Sequence, residues 1–195
     1  TAPGGKNGYW TPTQNLVDAF EPGDARKSAF IYSEGDTYYV WNSELVEVPY
    51  DPGWSSTGYN VKKYGGKRNV VSGAFSGNNQ GNFNNERLYR MAEMKLLYAE
   101  ALLAKGRAAD ATTQVNDIRT RAGLPALAGT ATLANIQQES RVELCFEPHR
   151  WFNITRWKTG GAIFGAEWND KFEVYPIPQT EIDRTHGLIV QTPGY

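Results

Sequence analysis

Three glutamates, Glu139, Glu143 and Glu147, recur at four-residue steps. On a helix this spacing stacks them along one face, with neighbours about 6 Å apart. Two carboxylates at such a distance suggest glycoside hydrolysis, one giving a proton while the other attacks or activates water. A second reading of the row is stronger. An unpaired acidic row repels itself, and Arg119, Arg121, Arg141, Arg150 and Arg156 stand nearby in the chain. An ion-pair lattice of Glu139, Glu143 and Glu147 with Arg119, Arg121 and Arg150, locking one helix to its neighbours, accounts for all these residue types. On that reading, Glu143→Ala loosens the fold.

Other reactive types are sparse. Cys145 and His149 have the spacing of metal ligands, but Pro148 intervenes and no third or fourth ligand accompanies them. A buried cysteine and a surface histidine are expected, with no metal. Two histidines and the absence of Gly-x-Ser-x-Gly leave a nucleophilic triad without support. Gly65-Gly66-Lys67-Arg68 lacks the upstream glycine and following hydroxyl of a phosphate loop. No catalytic residue and no cofactor are expected.

Aromatic side chains offer a different chemistry, because an exposed indole or phenol presents a flat apolar face to the C–H side of a sugar and polar edges to its hydroxyls. Tyr9, Trp10, Tyr38, Tyr39, Trp41, Tyr50, Trp54 and Tyr59 fall in loop- and hairpin-like sequence. Trp54, in Asp51-Pro-Gly-Trp-Ser-Ser, is the leading ligand-binding candidate, followed by Trp41, Tyr39, Tyr59 and Trp10. The competing role for each is to cover the core from outside. Trp151, Phe152 and Trp157 have core spacing instead and read as packing residues.

The elements that position these residues change character near residue 85. Residues 1–85 are rich in Gly, Asn, Pro, Tyr and Trp. They predict a helical turn over 13–20 capped by Thr13, and a hairpin joining Ala29-Phe-Ile-Tyr32 to Thr37-Tyr-Tyr-Val-Trp41 through Glu34-Gly35-Asp36. Ser76–Asn85 reads as a loop. From Glu86 the period becomes helical, with Leu88, Ala92, Leu96, Ala99 and Leu103 on one stripe widened by Met91, Met94 and Tyr98. Gly106 stops that helix, and a second runs from Ala108 to Ala122 before Gly123 and Pro125. The short link makes the pair an antiparallel αα-hairpin like one tetratricopeptide unit, which needs neighbours to bury its outer face. A third helix is expected from Thr132 through Phe146, and a fourth over 149–158 with Pro148 at its start and Gly160-Gly161 at its end. Tyr175–Pro178 should be extended, followed by one helical turn over 179–184. The class is mainly α, read as a single domain over 1–195: a loop-rich aromatic segment (1–85), then a helical core and tail (86–195).

Several of these stretches resemble the SusD/RagB family in order and spacing. They are Arg90-Met-Ala-Glu-Met-Lys-Leu-Leu-Tyr-Ala-Glu-Ala101 with Val115-Asn-Asp-Ile-Arg-Thr-Arg-Ala-Gly-Leu-Pro125, and Glu139-Ser-Arg-Val-Glu-Leu-Cys-Phe-Glu147 continuing into Arg150-Trp-Phe-Asn-Ile-Thr-Arg-Trp157. The ending Tyr175-Pro-Ile-Pro-Gln-Thr-Glu-Ile-Asp183, with Gln191-Thr-Pro-Gly-Tyr195, is similar to the family's close, and Pro12–Phe20 to the segment before its helices. Pro148 stands where the family has Gly, and Asn153-Ile154 where it has Asp-Leu. The resemblance implies the C-terminal region of a cell-surface nutrient-binding lipoprotein of a Bacteroidota-type outer membrane. It implies capture of an oligosaccharide or other nutrient for a SusC-type TonB-dependent transporter, with no catalysis. Membrane attachment would come only from a lipid anchor in an N-terminal part outside these residues. The alternative is a helical protein–protein interaction module without glycan binding.

Bulk properties agree with either reading. The 195 residues are 40% apolar and 21% charged with net charge −1, which gives no electrostatic ground for nucleic acid as partner. A single cysteine forms no internal disulfide. No apolar run reaches the length of a membrane span.

Overall fold

The computed structural model describes residues 10–42, 44–64 and 87–195, with backbone alone over 40–42 and 44–45. The expected loop at 76–85, the Gly65–Arg68 run and Tyr9 lie outside the described residues. The chain divides into two compact units, Thr1–Glu147 and Pro148–Tyr195. The fold is mainly α, with eight α-helices and two small two-stranded sheets among the described residues.

The first unit opens with α1 (Gln14–Val17), whose N-cap Thr13 accepts a hydrogen bond from the Leu16 amide. α2 (Ala25–Phe30) is capped by Asp24 in the same way. β1 (Ile31–Tyr32) follows at once and pairs antiparallel with β4 (Asn60–Val61). β2 (Thr37–Asn42) pairs with β3 (Glu44–Pro49). The expected hairpin is therefore corrected. Its turn exists, closed by the Asp36 amide on the Ser33 carbonyl with Gly35 at φ 88°, but it joins two different sheets. Ala29 and Phe30 complete a helix capped by Asp24, and β2 finds its partner in the Leu45–Val48 alternation that follows it.

α3 (Met91–Ala104) and α4 (Ala108–Arg121) form the αα-hairpin. Both end alike. The Arg107 amide reaches back to the Leu102 carbonyl at 2.9 Å and the Leu124 amide to Arg119 at 2.9 Å, across Gly106 (φ 73°) and Gly123 (φ 79°). A left-handed residue is required there, and glycine takes it without a steric penalty. Ala92, Leu96, Ala99 and Leu102 of α3 pack with Ala111, Val115 and Ile118 of α4. The alanines let the two axes approach closely. The predicted stripe on α3 is corrected here: Leu88 lies before the helix, and Met91, Met94 and Tyr98 are exposed. The sequence of α3 is apolar on most sides, so periodicity alone cannot select the face; the small residues facing α4 do.

α5 (Leu133–Glu143) starts with a capping box, in which Thr132 and Asn135 exchange side-chain and backbone bonds. Its Ile136 joins the core of the hairpin. Its Val142, with nearby Cys145, joins Val17, Phe20 and Ile31 in a second cluster.

The second unit holds α6 (Arg150–Arg156), α7 (Gly160–Phe164), two short 3-10 turns (Gly165–Glu167 and Asp170–Glu173) and α8 (Gln179–Arg184). Tyr175–Pro178 is free of regular structure and leads into α8 as expected. Pro148 lies in the turn before the N-cap His149, and Gly160 begins a helix instead of only ending one. Phe152 is exposed, contrary to its assignment as a packing residue, whereas Ile154 on the opposite side of the short helix is buried.

Candidate functional site

The acidic row lies in the interior of the first unit. Glu139, Glu143 and Glu147 are all buried, and each carboxylate meets cations. Arg26 at the start of α2 sits at the centre. Its guanidinium donates to Asp24 at 2.7 and 2.9 Å, to Glu139 at 2.5 Å and to Glu143 at 2.9 Å. Arg90, just before α3, donates to Glu143 at 2.5 Å and to both oxygens of Glu147 at 2.9 Å. Arg121 from the end of α4 also reaches Glu143. Arg119 bridges Glu21 at 2.5 Å and Glu139 at 3.5 Å. Lys63 closes the row, donating to Glu147 at 2.5 Å and to the Glu143 and Cys145 carbonyls at 3.0 and 2.9 Å.

These partners set the protonation of the row. Burial pushes the carboxyls up, but at Glu143 the hydrogen bonds from Arg90, Arg26 and Arg121 bring the net shift below the usual carboxylate range. At Glu147 the bonds from Arg90 and Lys63 do the same against burial. At Glu139 burial prevails over Arg26 and Arg119, and its carboxyl is raised. A general acid or base needs an open side from which substrate can be approached. Both oxygens of Glu143 are held by guanidinium groups, and the residue is 0% exposed. The arrangement is suited to fixing α2, α4 and α5 together.

The structure thus brings Glu139, Glu143, Glu147, Arg119 and Arg121 into one cluster. Arg150 begins α6 in the other unit. Sequence reasoning missed Arg26, Arg90, Lys63, Asp24 and Glu21, which lie far from the row in the chain. Cys145 is buried, and burial pushes its thiol up to about 12, so the thiolate of a nucleophile or metal ligand is disfavoured. His149 is half-buried at the N-cap of α6. Among the described residues no group of three His, Cys, Asp or Glu side chains is placed to hold a metal.

Three of the aromatic candidates, Tyr38, Tyr50 and Trp54, pack on one another. Tyr38 and Tyr50 are buried with Tyr32 in a cluster of their own, ring centroids 5.0–6.3 Å apart. Burial raises all three phenols, Tyr32 and Tyr50 to about 12. Trp54, held on a 3-10 turn by the Asp51 cap, stands edge-on to Tyr38 and Tyr50 at 5.4 and 5.6 Å and is half-buried. Tyr59 packs on the second apolar cluster and donates to Gln14 at 3.1 Å. Tyr39 is half-buried on β2. The Trp41 side chain lies outside the described residues. Of the four whose side chains are described, Trp10 alone is fully open, at 85% exposure.

The second unit contains a recess that sequence reading did not find. About 410 Å³ in volume, it is lined by Lys158, Gly161, Ala162, Trp168, Asp170 and Glu173. Trp168 is its wall. The indole lies against Gly160, where an added Cβ would come within 2.2–2.4 Å of the ring, and is braced by Trp151, Phe164 and Phe172 at 5.8–5.9 Å. Its Nε1 donates to Asp170 at 3.1 Å, and Lys158 pairs with Glu173. The only hints in the sequence are the Gly160-Gly161 pair and a tryptophan followed closely by an acid; neither carries a periodic signal.

Comparison with known proteins adds the following. The model of the SusD family matches residues 3–171. The chain is 33% identical over 129 residues to SusD-like protein P2 of Formosa agariphila, covering 54% of this chain and 25% of that protein. It is 31% identical over 120 residues to the starch-binding protein SusD of Bacteroides thetaiotaomicron, covering 55% of this chain and 21% of that protein. A SusD-like protein from Bacteroides fragilis superposes with a TM-score of 0.75 at 28% identity, covering 94% of this chain and 47% of the other. Surface glycan-binding protein A from Bacteroides uniformis gives a TM-score of 0.67 at 25% identity, covering 96% and 43%. The chain therefore spans less than half the length of these solved relatives.

Proposed function

We propose, from the premise that this chain belongs to the SusD family, that it belongs to a protein that captures a glycan or other oligomeric nutrient at the cell surface. The captured ligand passes on to a SusC-type TonB-dependent transporter in the outer membrane. The protein works at the extracellular face, and attachment is through a lipid anchor. Capture is by hydrogen bonding and aromatic contact, without chemistry on the ligand.

The observation that carries this reading is the 31% identity with a starch-binding protein across 120 residues. The state of the acidic row agrees with it: carboxylates that could have suggested hydrolysis are committed to arginines and lysine. Among the candidates Trp54, Trp41, Tyr39, Tyr59 and Trp10, the test starts with Trp10 for its exposure and Trp54 for its rigid mounting on two tyrosines.

Affinity electrophoresis against a panel of polysaccharides tests the reading. Retardation by at least one glycan is expected, weakened by Trp10→Ala or Trp54→Ala, with no hydrolysis products. Release of sugars from any glycan, or no retardation by any of them, sinks it. Co-purification with a co-expressed SusC-type transporter tests the hand-over, and failure to recover a complex counts against that step alone.

A further inference from the structure

We infer that the recess of the second unit, between Lys158, Gly161, Trp168 and Asp170, is a binding subsite for one neutral sugar residue of a glycan chain. The inference rests on the glycan-binding reading above and extends it to a place none of the aromatic candidates occupies.

The size is appropriate. Small-ligand sites occupy about 300–1,000 Å³, and this recess is about 410 Å³. Its chemistry is mixed in the way a polyol requires. Asp170 spends Oδ1 on the Trp168 indole N–H, which fixes the carboxylate and leaves Oδ2 to accept from one or two ring hydroxyls. Lys158 supplies donors, and Glu173 holds its ammonium in place. The pyrrole side of Trp168 borders Gly161 and Asp170 and offers an apolar edge to a sugar's C–H groups. One cation against two carboxylates gives a net negative lining, which disfavours uronic acids and sulfated sugars relative to neutral ones.

Two features show that the recess is mounted rigidly. The benzo ring of Trp168 lies flat against Gly160, a position that no side chain can occupy without displacing the ring. Lys158 occupies the left-handed position after α6 (φ 55°), closed by the Thr159 amide on the Ile154 carbonyl at 3.0 Å. This is the motif that ends α3 and α4, where glycine stands instead. A lysine there costs backbone energy, and residues held in such conformations cluster at ligand sites.

Three substitutions in the full chain test the subsite. Gly161→Leu fills the recess, and its Cβ meets Trp168 at an ordinary 3.8 Å. Asp170→Asn keeps the shape and the indole bond but removes the charge. Lys158→Gly removes the amine while relaxing the backbone, so its melting temperature should hold or rise. Each is measured by affinity electrophoresis on the glycan that retards the wild type most, with melting followed by circular dichroism. Retention at least about tenfold weaker in all three, at unchanged or higher melting temperature, is the expected result. Wild-type retention in all three overturns the subsite and leaves the proposed function standing. Weakening that appears only with a lowered melting temperature also overturns it. A wild-type protein retarded by no glycan overturns the function and the subsite together.

Discussion

Two groups of charged side chains in this protein use the same residue types to opposite ends. In the first unit, Arg26, Arg90 and Lys63 surround Glu139, Glu143 and Glu147 in the interior, and the cations fill the carboxylates' hydrogen-bonding positions. In the second unit, Lys158, Asp170 and Glu173 line an open recess beside an indole, and Asp170 uses one oxygen only on the protein. Burial makes the difference. A charge out of water needs its partners from the protein itself, whereas an exposed one keeps water, which a ligand's hydroxyls can replace. The abundance of carboxylates therefore says little about where a ligand binds; what matters is which of them the protein has left incomplete.

The largest expected effect comes from breaking the closed group. Glu143 meets Arg26, Arg90 and Arg121. Glu143→Ala leaves those guanidinium groups without their shared anion, and removing one partner of a buried ion pair costs about 3–5 kcal/mol. Urea denaturation should show a midpoint far below wild type; an unchanged midpoint would mean that the cluster does not hold the fold.

Half of that cluster was legible in the sequence. The four-residue spacing of Glu139, Glu143 and Glu147 places them on one face, and Arg119 and Arg121 are close enough in the chain to be suspected. Arg26 is 113 and 117 residues from its glutamates, and Arg90 is 53 and 57 from its own. No local period marks such partners; only the tertiary fold brings Arg26 of α2 and Arg90 before α3 against α5. The same limit explains the hairpin. The turn at Gly35 was readable because its backbone demands it, while the partners of Ile31 and Thr37 are settled by tertiary pairing. The recess beside Trp168 left no periodic signal, since α7 and the 3-10 turns around it are too short to show a pattern.

Next in size is a substitution in the open region. Gly160→Ala puts a methyl within 2.2 Å of the Trp168 ring, and forced overpacking costs about 1–3 kcal/mol. The indole must shift, so Trp168 fluorescence should change along with the denaturation midpoint. Wild-type emission and stability in this variant would show that Gly160 does not seat the ring and that the recess is less firmly built than its geometry indicates.

Acid distinguishes the two groups more gently. Glu143 and Glu147 have carboxyls lowered below the ordinary value of about 4.3. The folded state then binds fewer protons than the unfolded state, so the stability they contribute is full above about 4.3 and is lost as the pH falls through their lowered values. Glu139, raised by burial, works in the other direction: its share declines as the pH rises from about 4.3 through its folded value. Stability measured by urea between pH 7 and pH 3 should therefore fall towards the acid end, and Glu147→Gln should flatten that fall, whereas Glu139→Gln should improve stability near neutrality relative to pH 4. Equal slopes in all three proteins would contradict this assignment.

The smallest effect is expected within the closed group itself, and it tests burial as the deciding variable. Arg26 and Arg121 both contact Glu143, but the Arg26 side chain is 6% exposed and that of Arg121 is 61% exposed. Arg121 keeps most of its hydration when paired, so the pair has the modest value of a surface ion pair, and Glu143 retains Arg26 and Arg90 when Arg121 is truncated. Arg121→Ala should cost at most about 1 kcal/mol, and adding 1 M salt should remove most of the difference from wild type. Arg26→Ala would leave Asp24, Glu139 and Glu143 buried around a vacated centre, and its larger loss should persist in salt. Equal, salt-sensitive losses in the two variants would mean that the cluster behaves as a surface network, and that the contrast with the recess is one of degree.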